Sequence, residues 1–388
     1  MSASSRRNFL TAGLALPAAG MATIKSLDPS GSPAPLALTA AREPKYKTLG
    51  RTGLKVTTVA FGTMVTSDQS VIEKAIDMGI NYYDTAVGYQ GGNCERMVGA
   101  AIKGKRDKLV LSTKSPREEK DAALADLETS LKRLGTDYVD IWYIHGKSRA
   151  EQLTAERLEA QEIAKKKGMI RFSGVSTHNG FDNIIPAAIK SGKIDVILTS
   201  YNFTMGDRID SLLADAKKAN LGVVAMKVMA GGFRRVKPGD KLGITLKKEG
   251  AMTAALKWVL RNPNVDTTIP SITDMDQLDE DFRCMWEPFT DQDRQILARQ
   301  MDYIRPLYCR SCGQCDGKCP KGLPVSDIVR FAMYADGYGQ YALGLEHFLE
   351  LPEELQSVRC KDCSECAVKC PNGVAVADRL IRAQELFA

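Results

Sequence analysis

The chain has 388 residues, 44% of them hydrophobic and 26% charged, with a formal net charge of +6. That balance belongs to a globular protein with a large core, and the length accommodates one big domain plus a smaller one. No basic block is long enough to track a nucleic-acid backbone, which argues against such a partner.

At the N-terminus, SASSRRNFLTAGLALPAAGMA sets Arg6 and Arg7 before Phe9, Leu10 and an apolar stretch of about a dozen residues, too short to span a bilayer. This is the tripartite form of a bacterial export signal, and residues 5–10 are similar to the twin-arginine (Tat) type. A plain basic tail is the alternative. The expectation is passage through the Tat translocon to the periplasm, with cleavage after Ala22 or nearer Ala40 and no permanent membrane span. Residues 1–44 are assigned to this signal and an Ala-, Pro- and Ser-rich linker.

From 54 to 271, eight short β-branched or apolar runs follow one another: 56–61, 80–84, 109–113, 138–144, 172–175, 195–201, 222–227 and 267–270. Helical segments lie between them, among them 69–77, 120–134, 155–167 and 209–219. Eight such alternations predict an α/β fold, a (β/α)8 TIM barrel over 45–295. A doubly wound sheet would alternate too, but the first run lacks a G-x-G-x-x-G turn.

Strand ends converge in a barrel. Asp84 and Tyr89 follow the second run, Lys114 ends the third and His145 the fourth. Together they suit carbonyl reduction. A tyrosine donates a proton to a developing alkoxide when its high pKa is lowered, which a lysine cation does by favouring phenolate. Aspartate fixes the lysine, and histidine orients the carbonyl oxygen. Hydride must come from a cofactor, since no side chain supplies it. Taken singly, each residue has a plainer role: a helix cap, a packed ring, a solvated cation, a core imidazole.

YKTLGRTGLKV at 46–56, GINYYDTAVGYQGGNCERMVGAAI at 79–102, LSTK at 111–114 and DYVDIWYIH at 137–145 resemble the successive signatures of the aldo-keto reductase family. The resemblance covers about 45–285. It implies a catalytic tetrad of Asp84, Tyr89, Lys114 and His145, an NAD(P) cofactor, and a small carbonyl or alcohol substrate. The family's G-V-S-N is Gly174-Val175-Ser176-Thr177 here, which leaves Ser176 for the nicotinamide amide. Leu198 stands where the family has glutamine, and Met226 where it has a stacking aromatic. Ser271 and Gln277 occupy the lysine and arginine places for a 2′-phosphate, and 262–281 holds six carboxylates with no basic residue, which weakens the case for NADPH. Gly231 and Gly232 would let backbone approach the pyrophosphate, with Arg234 and Arg235 nearby; a flexible loop is the alternative. His178, His347, Cys94 and Cys284 are read as structural.

Eight of the ten cysteines follow residue 308, in CRSCGQCDGKCP at 309–320 and CKDCSECAVKCP at 360–371. Displacement by 51 residues superposes the two runs, and Gly322, Val325 and Asp327 fall on Gly373, Val376 and Asp378. Both read C-x2-C-x2-C-x3-C-P, whose fourth cysteine ligates the other cluster of a pair. Cys309, Cys312, Cys315 and Cys370 are expected to hold one [4Fe–4S], and Cys360, Cys363, Cys366 and Cys319 a second. Zinc is the rival ligand. Residues 296–388 thus read as a small α-helical dicluster ferredoxin-like domain, and the whole chain resembles the reductase branch bearing one, with a redox partner protein implied. An electron-transfer or binding protein using the barrel as scaffold is the alternative.

Overall fold

A computed structural model describes residues 42–231 and 239–388. The expected export signal, Gly232, Arg234 and Arg235 lie outside the described residues. Residues 43–388 form one compact unit.

An antiparallel hairpin, β1 (Tyr46–Thr48) and β2 (Lys55–Thr57), comes first. Eight parallel strands follow: β3 (Phe61–Gly62), β4 (Tyr82–Asp84), β5 (Val110–Ser115), β6 (Val139–Ile144), β7 (Ile170–Thr177), β8 (Val196–Ser200), β9 (Gly222–Met226) and β10 (Thr267–Thr268). They lie in sequence order. The ring closes where Ala60 N–H donates to Thr268 O at 2.8 Å and Gly62 N–H to Pro270 O at 2.9 Å. The run expected at 56–61 is therefore two elements. Its first half belongs to the hairpin, and residues 59–61 join the barrel, Val59 and Ala60 through Thr268 and Phe61 in β3.

Alternation along each strand sends every second side chain inward. Tyr82, Ile141, Tyr143, Leu198 and Val224 fill the interior, and Leu49, Leu54 and Val56 of the hairpin plug it from below. Gly50 makes that plug possible: it has φ 46°, and a Cβ there would stand 2.2 Å from Gly222 N.

The barrel helices are α1 (Gln69–Asp77), α2 (Asn93–Ala101), α3 (Lys120–Leu134), α4 (Ala155–Lys166), α5 (Phe181–Ser191), α6 (Asp207–Lys218), α7 (Lys241–Lys248), α8 (Ala251–Leu260), α9 (Met275–Arg283) and α10 (Asp291–Ile304). Their starts follow cap chemistry. Asp68 accepts Ser70 N–H at 2.9 Å, and Thr290 and Asp293 form a capping box. Since α10 packs on α8, the expected boundary at 295–296 falls inside a helix that belongs with the barrel. Among the described residues no helix is long and apolar enough to cross a membrane.

The tail carries α11 (Val325–Asp336), α12 (Tyr341–Leu349), α13 (Glu353–Gln356) and α14 (Val376–Phe387). The internal repeat is visible here, because α11 and α14 begin at the repeat-related valines, each after a left-handed glycine, Gly322 or Gly373. The two helices pack together with α12. Asp336 of α11 pairs with Arg379 at 2.8 Å and Arg382 at 3.1 Å of α14. One hydrophobic core runs from the outer face of the barrel into this bundle, through Ala230, Tyr308 and Tyr334.

Candidate active site and cluster-binding tail

Strand register assembles the tetrad. Ser112 of β5 lies opposite Asp84 of β4, and two residues further along the same face stands Lys114. The Lys114 ammonium donates to Asp84 Oδ2 at 2.5 Å and to Thr85 O at 2.6 Å. Ser112 donates to Asp84 Oδ1 at 2.6 Å, Tyr82 donates to Ser112 Oγ at 3.1 Å, and the Tyr82 and Tyr143 hydroxyls are 3.0 Å apart. Asp84 and Lys114 are almost wholly buried. Burial pushes the Asp84 carboxyl up and the Lys114 ammonium down. The close contact offsets part of that cost.

Tyr89 follows β4 in a short 3-10 turn, after which Gln90, Gly91 and Gly92 all take positive φ. That turn brings its ring within 5.0 Å of Lys114 Nζ and sets it edge-on to His145, with 6.1 Å between ring centroids. The phenol is pushed well above its ordinary value by burial and by the Asp84 charge. This differs from the expectation that Lys114 lowers it: burial and the Asp84 charge dominate at the phenol, and Asp84 already balances the lysine. Tyr89 therefore stays protonated and is an acid awaiting an alkoxide. His145 is driven well below its usual range, by burial first and then by Lys114 and Lys147. Its imidazole is neutral and suited to hydrogen-bonding a carbonyl oxygen.

A cleft open to solvent starts at Asp84, Tyr89 and Met226 and reaches Ser271, Thr273 and Gln277 beyond β10. Gly337 and Tyr338 of the tail form one wall. This course suits an extended dinucleotide, and the Met226 thioether offers a face to a nicotinamide ring. Amide contacts are sparse. Ser176 is buried, does not line the cleft, and accepts Gly146 N–H at 2.8 Å. The Thr177 hydroxyl is spent on Asn179 O, and Leu198 sits in the barrel interior. Gln277 holds Thr273 at 2.8 Å and Asp274 at 2.6 Å, and shares a neighbouring pocket with Lys247 and Lys248. Gly231 packs against the tail: a Cβ on Gly337 would lie 2.3 Å from Gly231 O.

In the tail, Cys309, Cys312, Cys315 and Cys370 surround one pocket floored by Val325 and Val329. The Cys309 thiol is pushed up to about 12 by burial, with Cys315, Cys312 and Cys370 adding to the rise. Cys360 is raised by burial and by Cys319, Cys363 and Cys366. The repeats thus exchange their fourth cysteines in space. Among the described residues no three His, Cys, Asp or Glu side chains converge as a single ion requires. Thiolates around zinc share one centre at about 2.3 Å, whereas a cube of iron and sulfide spreads its four thiolates over separate irons. The donor set fits [4Fe–4S], and bound iron would draw off the thiol protons that burial retains. Peptide and amide donors already point at the sulfurs: Ser311 N–H at 3.3 Å from Cys309 Sγ, and Asn372 Nδ2 at 3.4 Å from Cys312 Sγ.

Several participants escaped the sequence reading. Ser112, Tyr82 and Tyr143 were legible in principle, each two residues before a tetrad member on its own strand. Tyr338, which the docked tail brings to the cleft, and Lys227, which follows β9 at the barrel mouth, had no local signal. His347, read as structural, stacks on Phe331 with 5.4 Å between centroids. Cys94 donates to Thr63 O at 3.2 Å, and its thiol is pushed up to about 12, chiefly by burial.

Comparison with known proteins agrees with this geometry. Residues 58–300 match the Aldo/keto reductase family, and residues 308–375 match the 4Fe-4S dicluster domain. The uncharacterized oxidoreductase YqkF of Bacillus subtilis is 26% identical over 62% of this chain and 90% of its own length. L-galactose dehydrogenase of Arabidopsis thaliana is 26% identical over 68% of this chain and 95% of its own. Among solved structures, the holo form of an aldo-keto reductase from Bacillus halodurans superposes with a TM-score of 0.57 at 25% identity, over 66% of this chain and 96% of that one.

Proposed function

This chain belongs to the aldo/keto reductase family and carries a 4Fe-4S dicluster domain, and on that basis we propose that it interconverts a carbonyl and an alcohol while exchanging electrons with two [4Fe–4S] clusters. Tyr89 gives its proton to the carbonyl oxygen as the alkoxide forms, and takes it back in the opposite direction. His145 holds that oxygen with a hydrogen bond. Lys114, clamped by Asp84 and through it by Ser112, keeps positive charge under the Tyr89 ring. A nicotinamide cofactor in the cleft would supply or accept the hydride. Its two electrons match one electron for each of two clusters.

The shared wall carries the proposal. Gly337 and Tyr338 of the tail line the same cleft as Asp84 and Tyr89, and Lys227 and His178 also line a second pocket that Cys309 borders. Next to Cys309, the Tyr308 hydroxyl accepts a hydrogen bond from Asn202 Nδ2 at 3.0 Å, and the same amide nitrogen donates to Lys227 O at 3.0 Å. Bonds therefore link a cluster ligand to the residue after Met226. A redox partner protein would complete the circuit outside the cleft.

Residues 5–10 support export by the Tat route, which carries cargo already folded around its clusters. Replacing Arg6 and Arg7 by lysine should then hold the protein in the cytoplasm. The thin amide set at Thr177 and Leu198 favours a second reading, an electron-transfer protein with the barrel as scaffold. Tyr89→Phe separates the two: under the proposal, carbonyl turnover falls about 10²- to 10⁴-fold while cluster absorbance is unchanged. Turnover equal to wild type would overturn it.

A further inference from the structure

Lys227 follows Met226 at the barrel mouth, with its backbone in the left-handed region at φ 56°. A side-chain-bearing residue is strained there, and such strain persists where surrounding contacts impose it, commonly at ligand clamps. The contacts are present: Lys227 O accepts from Asn202 Nδ2 and from Ala230 N–H, both at 3.0 Å. The ammonium lies over the rings of Tyr334, at 4.8 Å, and Tyr338, at 5.1 Å. Among the described residues no carboxylate pairs with it: its hydrogen bond goes to the Tyr334 hydroxyl, and Arg330 and Lys114 lie close enough to disfavour its charge. Arg330, the other cation here, is committed to Asp327 at 2.7 Å and Tyr334 at 3.1 Å.

His178 supplies an independent observation. Its Nδ1 is buried without a hydrogen-bond partner, and burial holds the imidazole neutral by driving its pKa well down. Lys227 and His178 line both the tetrad cleft and the smaller pocket beside it. That smaller pocket has hydroxyls from Ser200, Ser311 and Tyr308 in its wall and no aspartate or glutamate. A half-buried ammonium whose only acidic neighbour is a phenol, and a buried nitrogen without a hydrogen-bond partner, both leave a place for an anionic oxygen. One anionic oxygen group answers both.

We infer that Lys227 and His178 receive the carboxylate of an acidic carbonyl substrate, a short oxo acid or its hydroxy-acid counterpart, whose carbonyl lies at Tyr89. The inference rests on the carbonyl–alcohol reading above and narrows its substrate class. Anionic oxygens can also come from the diphosphate of a dinucleotide. The smaller pocket, however, opens toward Ser200 and Tyr308, whereas Ser271 and Gln277 mark the other reach of the cleft, so the substrate is the assigned source.

The test is calorimetric titration of anaerobic, cluster-loaded protein with phenylglyoxylate and with its methyl ester, followed by assay of both as substrates. The acid should bind at least tenfold tighter than the ester, and saturating ADP-ribose should leave its affinity unchanged. Lys227→Met should erase the preference, and Lys227→Arg should retain it. Equal binding of acid and ester to the wild-type protein would overturn the inference, whatever the variants do, and so would displacement of the acid by ADP-ribose. Reduction of the ester without any preference for the acid would sink this assignment and spare the reductase reading. Preferential binding of the acid with neither compound reduced would do the reverse.

Discussion

Asp84 and Lys114 stand on adjacent strands, and the register that sets Ser112 opposite Asp84 also sets the contact between carboxylate and ammonium. The eight tail cysteines stand instead on loops around α11 and α14, and each group of four draws a member from both repeats. The barrel site is thus preformed by backbone hydrogen bonding. The tail sites are organised by loops, in which burial raises the Cys309, Cys315 and Cys360 thiols, and bound iron would take their protons. Geometry within the barrel should survive loss of its cofactor, while the tail should depend on its clusters for order.

The largest effect should come from breaking the exchange of ligands. Cys370→Ala removes a ligand from the Cys309 group although it lies in the second run, so about half the bound iron should be lost. Paramagnetic resonance should show that the surviving signal belongs to the Cys360 group. Survival of the Cys309 signal would mean that each run serves its own cluster.

Next in size is the ion pair that holds the repeats together. Burial alone would raise the Asp336 carboxyl, but hydrogen bonds from Arg379 and Arg382 outweigh it and hold the group below its ordinary value. A depressed carboxyl stabilises the fold above its unfolded pKa of about 3.9 and ceases to do so as pH falls through the folded value. Asp336→Asn should therefore cost about 3 kcal/mol at neutral pH, because it leaves the buried Arg379 guanidinium without its partner. In urea melts followed at the cluster absorbance, the gap from wild type should close as the pH drops below about 4. A gap that does not vary with pH would assign the loss to packing.

Smaller still is the effect expected where the two regions meet. Gly337→Ala forces a methyl to within 2.3 Å of Gly231 O, and such overpacking costs about 1–3 kcal/mol. Thermal melting should fall accordingly, with the tetrad unchanged. If melting is unaffected, the wall of the cleft is less tightly docked than the contact implies.

Much of the barrel was legible because its signals are local. Segments 69–77 and 120–134 end where a cap or a left-handed glycine ends them, at Asp68 and Gly135. Asp84, Tyr89, Lys114 and His145 announced themselves by strand-end position, and the tail by spacing and repeat. Failures came where distant segments meet. The 56–61 run reads as one strand until the hairpin claims its first half. Lys227 carries no motif at all, and its surroundings exist only once α11 is docked on the mouth. The direction of the Tyr89 pKa depends on the burial of its ring and on the Asp84 charge beside it, and no spacing encodes that.

The central claim is that cleft and clusters form one circuit. Anaerobic titration of cluster-loaded protein with NADH and then NADPH, followed by absorbance and paramagnetic resonance, tests it most directly. The account predicts that a reduced nucleotide bleaches the clusters, NADH more readily than NADPH given the carboxylates at 262–281. Clusters that accept electrons from dithionite but from neither nucleotide would contradict it.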